Sequence, residues 1–120
     1  MQISKKQINP NLKKQIYQFL YQVLADIHSK KEAKIFLKEV LTNTELEMLA
    51  KRLGVAYYLD KGRTYSNIKT SLNLSSATIS AVAEQMRKGK GFRIALEKIK
   101  AEEWAGKWAK KISKRLNPFL

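Results

Sequence analysis

Apolar residues recur at intervals of three and four along this chain, which is the period of an amphipathic helix. A first stripe follows Pro10 and contains Ile16, Phe19, Leu20, Val23, Leu24 and Ile27. A shorter stripe lies in KEAKIFLKEVL, and a third contains Leu46, Leu49, Leu53 and Ala56 before a helix stop expected at Gly62. No segment alternates apolar and polar residues convincingly as a strand would. The pattern predicts an all-α protein.

From Thr64 onward the predicted helices become shorter. TYSNIKTSL is expected to form about two helical turns, and Asn73 and Leu74 a tight turn, because Asn tolerates the left-handed conformation. Ser75 or Ser76 can cap a second helix, SATISAVAEQMRK, which ends where two glycines interrupt RKGKGFR. A last helix then runs to about Leu116, before Pro118. The inward side chains of the two short helices are Ile68, Leu72, Leu74, Ile79, Val82 and Met86.

Two short helices joined by a tight turn are typical of a helix-turn-helix, whose second helix enters the major groove of DNA. Short side chains on the outward face allow such a helix to approach base edges closely. The outward positions here are all small: Ser76, Ala77, Ser80 and Ala81. The alternative is an ordinary helical corner whose exposed face is rich in serine.

Charge favours the nucleic-acid interpretation. The chain holds 24 Lys and Arg against 10 Asp and Glu, a net charge of +14, yet the stretch TSLNLSSATISAVA has no charged residue. Neutralisation of phosphates by basic side chains releases counterions and drives binding to nucleic acids. Basic residues bracket the neutral stretch, where phosphates would pass: Arg63, Lys69, Arg87, Lys88 and Lys90.

These residues also resemble a known family. The segment LTNTELEMLAKRLGVAYYLDKGRTYSNIKTSLNLSSATISAVAEQMRKGKGFRIAL is similar to the tryptophan repressor superfamily, and more closely to its YerC/YecD-like branch. The matching motifs are LT-x-x-E-x-E-x-L-x-x-R, S-x-A-T-I-S and GKGF, and the resemblance covers roughly residues 35–100. It implies an all-helical domain of about six helices, an intertwined homodimer with one helix-turn-helix per subunit, and operator binding by a transcriptional regulator, most simply a repressor.

Roles for individual residues follow from the resemblance, which implies them for Lys69, Ser76, Ala77, Thr78 and Ser80, taken together with the outward face of the second helix and the residues that flank it. Lys69, Ser76, Ala77, Ser80 and Ala81 are expected to face bases. The residues expected at phosphates are Arg63, Tyr65, Ser66, Ser75, Thr78, Arg87, Lys88 and Lys90. The alternative function is nucleic-acid binding without sequence preference, as in a nucleoid-like or RNA-associated protein.

One position departs from the family. In the tryptophan repressor, an Arg after the A-T-I-T segment pairs with the carboxylate of the amino acid, and a second Arg flanks the indole. Arg52 matches the second and is a candidate for an effector contact, although the sequence favours a surface position or a phosphate contact for it. Ala81 stands at the first position, where a methyl group cannot replace the guanidinium fork. Val82 and Gln85 also differ from the small residues of that pocket. We therefore expect no tryptophan binding and no other cofactor.

Other classes of protein find little support. The chain has no Cys and a single histidine, His28, expected in the last turn of the first helix, so neither a metal site nor an enzyme is expected. We see no signal peptide or membrane span and expect a cytoplasmic protein. We expect one domain over residues 1–120. Within it we place dimerisation helices in 11–41, a scaffold helix in 42–62, the helix-turn-helix in 64–88 and a basic amphipathic helix in 92–116.

The C-terminal stretch AEEWAGKWAKKISKRLNPFL allows two interpretations. Trp104, Trp108, Ile112 and Leu116 are four residues apart, and lysines lie beside them. A basic amphipathic helix with Trp can bind a membrane surface or an anionic partner. The same stripe can instead pack on the partner's first helix in a dimer core, which the sequence favours.

Overall fold

The computed structural model describes residues 6–116, which form six α-helices and no strand. The helices are α1 (Pro10–Asp26), α2 (Lys30–Val40), α3 (Asn43–Asp60), α4 (Tyr65–Leu72), α5 (Ser76–Lys88) and α6 (Gly91–Leu116). The predicted all-α class is confirmed. Pro118, expected just beyond the last helix, lies outside the described residues. Within residues 6–116, no helix combines the length and the apolar character needed to cross a bilayer.

The contacts divide the chain into two compact units after Asn43. The expectation of a single domain over residues 1–120 stays a prediction. In the first unit, Pro10 opens α1, and the Asn9 side chain accepts a hydrogen bond of 2.8 Å from the Asn11 backbone N–H. Ser29 caps α2 in the same way, accepting from the Glu32 N–H at 3.1 Å. Both helices therefore begin at a residue whose side chain satisfies an otherwise unpaired backbone donor.

The end of α1 differs from the prediction. The helix stops at Asp26, and Ile27 is extended, with φ −78° and ψ 121°. Ile27 therefore does not continue the helical stripe, and His28 does not lie in the last helical turn. Only three residues separate α1 from α2, and Ser29, the N-cap of α2, is also extended, with φ −127° and ψ 151°, as a capping residue must be to accept from the first turn.

The apolar stripe of α1 is exposed. Not one residue of α1 is buried, and five of the six stripe positions are exposed: Ile16, Phe19, Leu20, Val23 and Leu24. A contiguous exposed apolar patch of this kind is typical of a surface that binds a partner.

The core of the second unit draws on all four of its helices. Val55 and Ala56 of α3, Ile68 of α4 and Ile79 of α5 are fully buried. Val82 and Leu96 are buried beside them, and Tyr57, Tyr58, Leu59, Leu72, Leu74, Met86 and Phe92 pack around this centre. The predicted inward residues of α4, the turn and α5 are thus all buried or half-buried.

The predicted inward face of α3 is partly wrong. Leu49 and Leu53 are exposed, whereas Val55, which the stripe did not include, is fully buried. The buried residues of α3 lie in its C-terminal half, where α4 approaches closely: a Cβ added to Gly54 would lie 3.4 Å from Leu72 Cδ1. Which face of α3 is buried is set by this tertiary contact.

Polar contacts join α3 to α6. The Tyr57 hydroxyl donates a hydrogen bond of 2.8 Å to Glu103 Oε1, and Lys61 Nζ lies 3.6 Å from the other carboxylate oxygen. Lys100 Nζ is 3.0 Å from Asp60 Oδ2. The hydrogen bond from Tyr57 lowers the pKa of Glu103 and raises the pKa of Tyr57. These contacts hold the first half of α6 against α3.

Candidate nucleic-acid interface

α4 and α5 form a helix-turn-helix joined by residues 73–75. The Thr64 hydroxyl caps α4 by accepting from the Asn67 N–H at 3.1 Å. α4 ends at Leu72, and its C-cap Asn73 is left-handed with φ 52° and ψ 58°, as predicted. The Leu74 N–H donates back to the Lys69 carbonyl at 3.2 Å. Among residues 6–116, Asn73 is the only non-glycine residue with positive φ. The turn is therefore tight, and Leu74 packs against the core.

Ser75 starts α5. Its hydroxyl accepts from the Thr78 N–H at 3.2 Å and lies 3.0 Å from the Thr78 hydroxyl. This pairing satisfies one backbone donor in the first turn of the helix and fixes both side chains. Ser75 and Thr78, both expected near phosphates, thus form the N-terminal cap of α5.

The two faces of α5 are sharply different. Ile79 and Val82 are buried against the rest of the unit. The four small residues expected to face bases are all exposed: Ser76, Ala77, Ser80 and Ala81. α5 is therefore held by apolar contacts on one side and presents a smooth, uncharged surface on the other.

Most of the expected phosphate contacts, and Lys69, are open to solvent. Arg63, Tyr65, Ser66, Lys69, Arg87, Lys88 and Lys90 are all exposed. The Arg63 guanidinium lies 4.2 Å from the centroid of the Tyr58 ring, and its Nη1 donates to Asn67 Oδ1 at 3.4 Å. Arg63 is thus oriented by two neighbours at the start of α4, a cation–π contact among them.

Glu84 has a role that the sequence pattern did not predict. Its carboxylate pairs with both Arg87 and Lys88, each at 3.0 Å. The signal was available, because residues three and four positions apart are neighbours on a helix. Glu84 therefore holds two of the expected phosphate-binding cations at the end of α5.

An open concavity of ≈ 410 Å³ adjoins α5. It is lined by Arg52, Ala77, Thr78, Ala81, Val82, Gln85 and Phe92. The structure thus brings Arg52 together with the three positions at which the sequence departs from the tryptophan-binding pattern. Phe92 was not expected here, although the GKGF motif places it next to the break between α5 and α6.

The described residues show no metal-binding constellation. Between positions 6 and 116, no group of three or more His, Asp or Glu side chains could hold a metal ion.

Comparisons with known proteins agree with this geometry. The family model for the Trp repressor protein matches residues 15–100, so the match begins well before residue 35, where the sequence resemblance was placed. The uncharacterised protein YerC of Bacillus subtilis is 33% identical over 85 residues, which are 70% of this chain and 82% of that protein. A crystal structure of a TrpR-like protein from Eubacterium eligens is also 33% identical, with a TM-score of 0.68, covering 76% of this chain and 95% of that one.

Proposed function

The chain belongs to the Trp repressor family, and on that premise we propose that it is a cytoplasmic, non-enzymatic regulator of transcription that binds double-stranded DNA at specific sequences. Its place in the family and its net charge of +14 support DNA as the partner.

The observation that carries the proposal is the exposed face of α5. A helix can read base edges only if its side chains let the backbone approach, and Ser76, Ala77, Ser80 and Ala81 are small and exposed. Ile79 and Val82 hold the helix from behind. α5 accordingly enters the major groove, with Lys69 reaching it from α4 and the flanking cations meeting phosphates.

The functional unit is a homodimer. The exposed apolar stripe of α1 supports this, because a helix with such a face requires a partner surface. Two copies of α5 then reach successive major grooves about 34–36 Å apart on a roughly palindromic site. A regulator placed on such a site most simply represses, by blocking access to the promoter.

Selection from random duplexes at physiological salt tests DNA, specificity and spacing together. On the selected site, Ser80→Glu places a carboxylate in the groove and is expected to abolish specific binding. Ser113→Glu is the matched control, since it adds the same charge at an exposed position of α6. Unchanged affinity of the Ser80 variant would refute the placement of α5.

Binding without sequence preference is the second candidate. Only a minority of the 24 Lys and Arg belong to the helix-turn-helix. The many cations elsewhere in the chain favour this second candidate. The two are separated by the ratio of specific to non-specific affinity at fixed salt, expected at about 10³ or more for an operator-binding protein. A ratio near one would favour the second candidate.

We also propose that the chain does not bind tryptophan. The concavity beside α5 has Arg52 but only the Ala81 methyl group where a second guanidinium would grip a carboxylate, and Gln85 lines the same space. Calorimetry should detect no heat of binding. A micromolar affinity for tryptophan would contradict this.

A further inference from the structure

The C-terminal half of α6, residues 104–116, is here called the α6 tail. The first half of the helix is fixed by Leu96, which is buried, and by Glu103, which accepts from Tyr57. Beyond Glu103, every side chain of the tail is exposed. The tail also lies beyond residue 100, where the match to the family ends. It is thus an addition to the part of the chain that the family shares.

One side of the tail is apolar. Trp104, Trp108, Ile112 and Leu116 follow each other at intervals of four residues, which places them along one stripe of the helix. The two indole rings meet edge to face, with centroids 5.6 Å apart and planes at 63°. The exposed fractions are large, 64% for Trp104 and 82% for Leu116. At 1.5 Å per residue the stripe is about 18 Å long.

The cations of the tail lie directly beside that stripe. The tail contains Lys107, Lys110, Lys111, Lys114 and Arg115 and no acidic residue. Lys111 Nζ is 5.7 Å from the centroid of the Trp108 ring. An open groove of ≈ 410 Å³ is lined by Trp104, Lys107, Trp108, Lys110 and Lys111. The surface therefore combines exposed apolar area with positive charge that no carboxylate within the tail balances.

We propose that the α6 tail binds the surface of an anionic lipid bilayer, lying in the plane of the interface. Its indole and aliphatic side chains enter the boundary between headgroups and acyl chains, and its cations face the lipid phosphates. This inference goes beyond the proposed DNA binding and does not depend on it, because no tail residue belongs to the helix-turn-helix.

Charge complementarity favours lipid over a second copy of the chain. The most extensive exposed apolar face that a second copy would offer is that of α1, which has Lys13 and Lys14 in its first turns and a single acid, Asp26, at its end. Gln22 already donates to that carboxylate at 2.9 Å. A basic tail on a basic helix leaves its charges unpaired, whereas anionic headgroups pair with all of them.

The aliphatic half of the stripe favours lipid over nucleic acid. Single-stranded nucleic acids bind to cationic surfaces on which bases stack against aromatic rings. The indoles suit that role, but Ile112 and Leu116 continue the same stripe and offer no ring for stacking. Acyl chains accept both kinds of side chain.

Tryptophan fluorescence of the full chain tests the proposal directly. The chain has two Trp, and both lie in the stripe, so the emission reports on the tail alone. Vesicles of phosphatidylcholine with phosphatidylglycerol should shift the emission to the blue, and vesicles of pure phosphatidylcholine should not. No shift with the anionic vesicles would overturn the proposal.

Two variants define the two parts of the surface. Ile112→Asp places a charge in the stripe and should abolish binding to the anionic vesicles. Replacing Lys107, Lys110 and Lys111 by Gln should weaken vesicle binding by about 100-fold, since each cation near an anionic surface contributes about one tenfold step or slightly less. The matched control replaces Lys31, Lys34 and Lys38 of α2, which are also exposed, and should bind vesicles as the wild type does. Equal losses in the two triple variants would show a response to net charge and would overturn the proposal.

The other occupants give different results. If a second copy covers the stripe, Ile112→Asp changes the sedimentation coefficient without lipid present. If nucleic acid covers it, single-stranded DNA shifts the emission and anionic vesicles do not. Either result overturns the proposal. Retained operator binding by Ile112→Asp, together with lost vesicle binding, separates this surface from the proposed DNA interface.

Discussion

Removing the Glu84 carboxylate should strengthen DNA binding with little effect on stability. Glu84→Gln keeps the shape of the side chain and eliminates the negative charge that pairs with Arg87 and Lys88 at 3.0 Å each. If these two cations meet phosphates when α5 enters the groove, the carboxylate competes with DNA for them. The substitution makes both cations available.

The exposure of the paired side chains sets the size of the changes in stability and in DNA affinity. The side chain of Glu84 is 51% exposed, and those of Arg87 and Lys88 are 71% and 70% exposed, so water screens both pairs strongly. Exposed helical pairs of this kind contribute about 0.3–0.5 kcal/mol each. The free energy of unfolding should therefore fall by less than about 1 kcal/mol. In the wild type, the energy of the two ion pairs is lost when Arg87 and Lys88 move to phosphates. The variant has no such loss, so its complex with DNA should be about three- to fivefold tighter.

Fluorescence anisotropy over a range of salt concentrations measures both effects. The slope of log K against log salt should steepen by up to about 0.9 for each cation that newly engages a phosphate. Glu47→Gln is the matched control, because it makes the same change in net charge and removes a pair four residues apart on α3, Glu47 with Lys51. An equal gain in affinity for both variants would show an effect of net charge alone. An unchanged affinity for Glu84→Gln would refute the assignment of Arg87 and Lys88 to phosphates.

Three further predictions concern stability. Ile79→Ala, at a fully buried position, should lower the free energy of unfolding by about 2–5 kcal/mol in urea titrations; a change below about 1 kcal/mol would contradict the core assignment. Because the hydrogen bond from Tyr57 holds the pKa of Glu103 below its ordinary value, the stabilisation is complete above the ordinary carboxyl pKa of about 4.3 and is lost as the pH falls through the lower folded value. In Glu103→Gln, the midpoint urea concentration should depend less on pH in the acidic range than in the wild type. An unchanged pH dependence would refute the contact. Gly62→Ala should destabilise by about 1 kcal/mol, because Gly62 has φ +84° with nothing within 4 Å of an added Cβ. Gly106→Ala in α6 is its control, equally free of contacts, and should stabilise by about 0.5–1 kcal/mol; equal melting shifts would show that the φ of Gly62 is not responsible.

The helix-turn-helix could be predicted from the sequence because its determinants are local. Asn73 marks the left-handed turn, Ser75 or Ser76 the cap, and the interval between Ile79 and Val82 the buried face of α5; the structure selects Ser75. Each depends on residues within a few positions of one another. The structure confirms the turn, the cap and the burial.

The face of α3 could not be predicted in the same way. Leu49 and Leu53 fit a helical stripe as well as Val55 does, and tertiary contacts, among them the approach of α4 to Gly54, decide which side is covered. The end of α1 was missed for a related reason. Ile27 fits the stripe, but its backbone is already extended, and so is that of Ser29, which caps the next helix.

The candidate site was predicted in outline. Exposure of the small residues on α5 followed from the burial of their neighbours. The pairing of Glu84 with Arg87 and Lys88 could be predicted from their spacing of three and four residues along the helix. The numbers of acidic and basic residues alone do not predict it. The position of Phe92 beside Arg52 depends on how α6 leaves α5, which no local pattern determines.

The length of α6 has a mechanical consequence. Its 26 residues extend about 39 Å, its first half is held against α3, and it is joined to the end of α5 by two residues, Gly89 and Lys90. Because Leu96 and Glu103 fix the first half, only the α6 tail of 13 residues is free to act as a lever, and it is about 20 Å long. A bend of about 10° where the contacts with α3 end moves the tip by about 3 Å. Conversely, a force that grips the tip acts first on those contacts, so whatever holds the end of α6 loads the packing of α6 on α3 before it reaches α5.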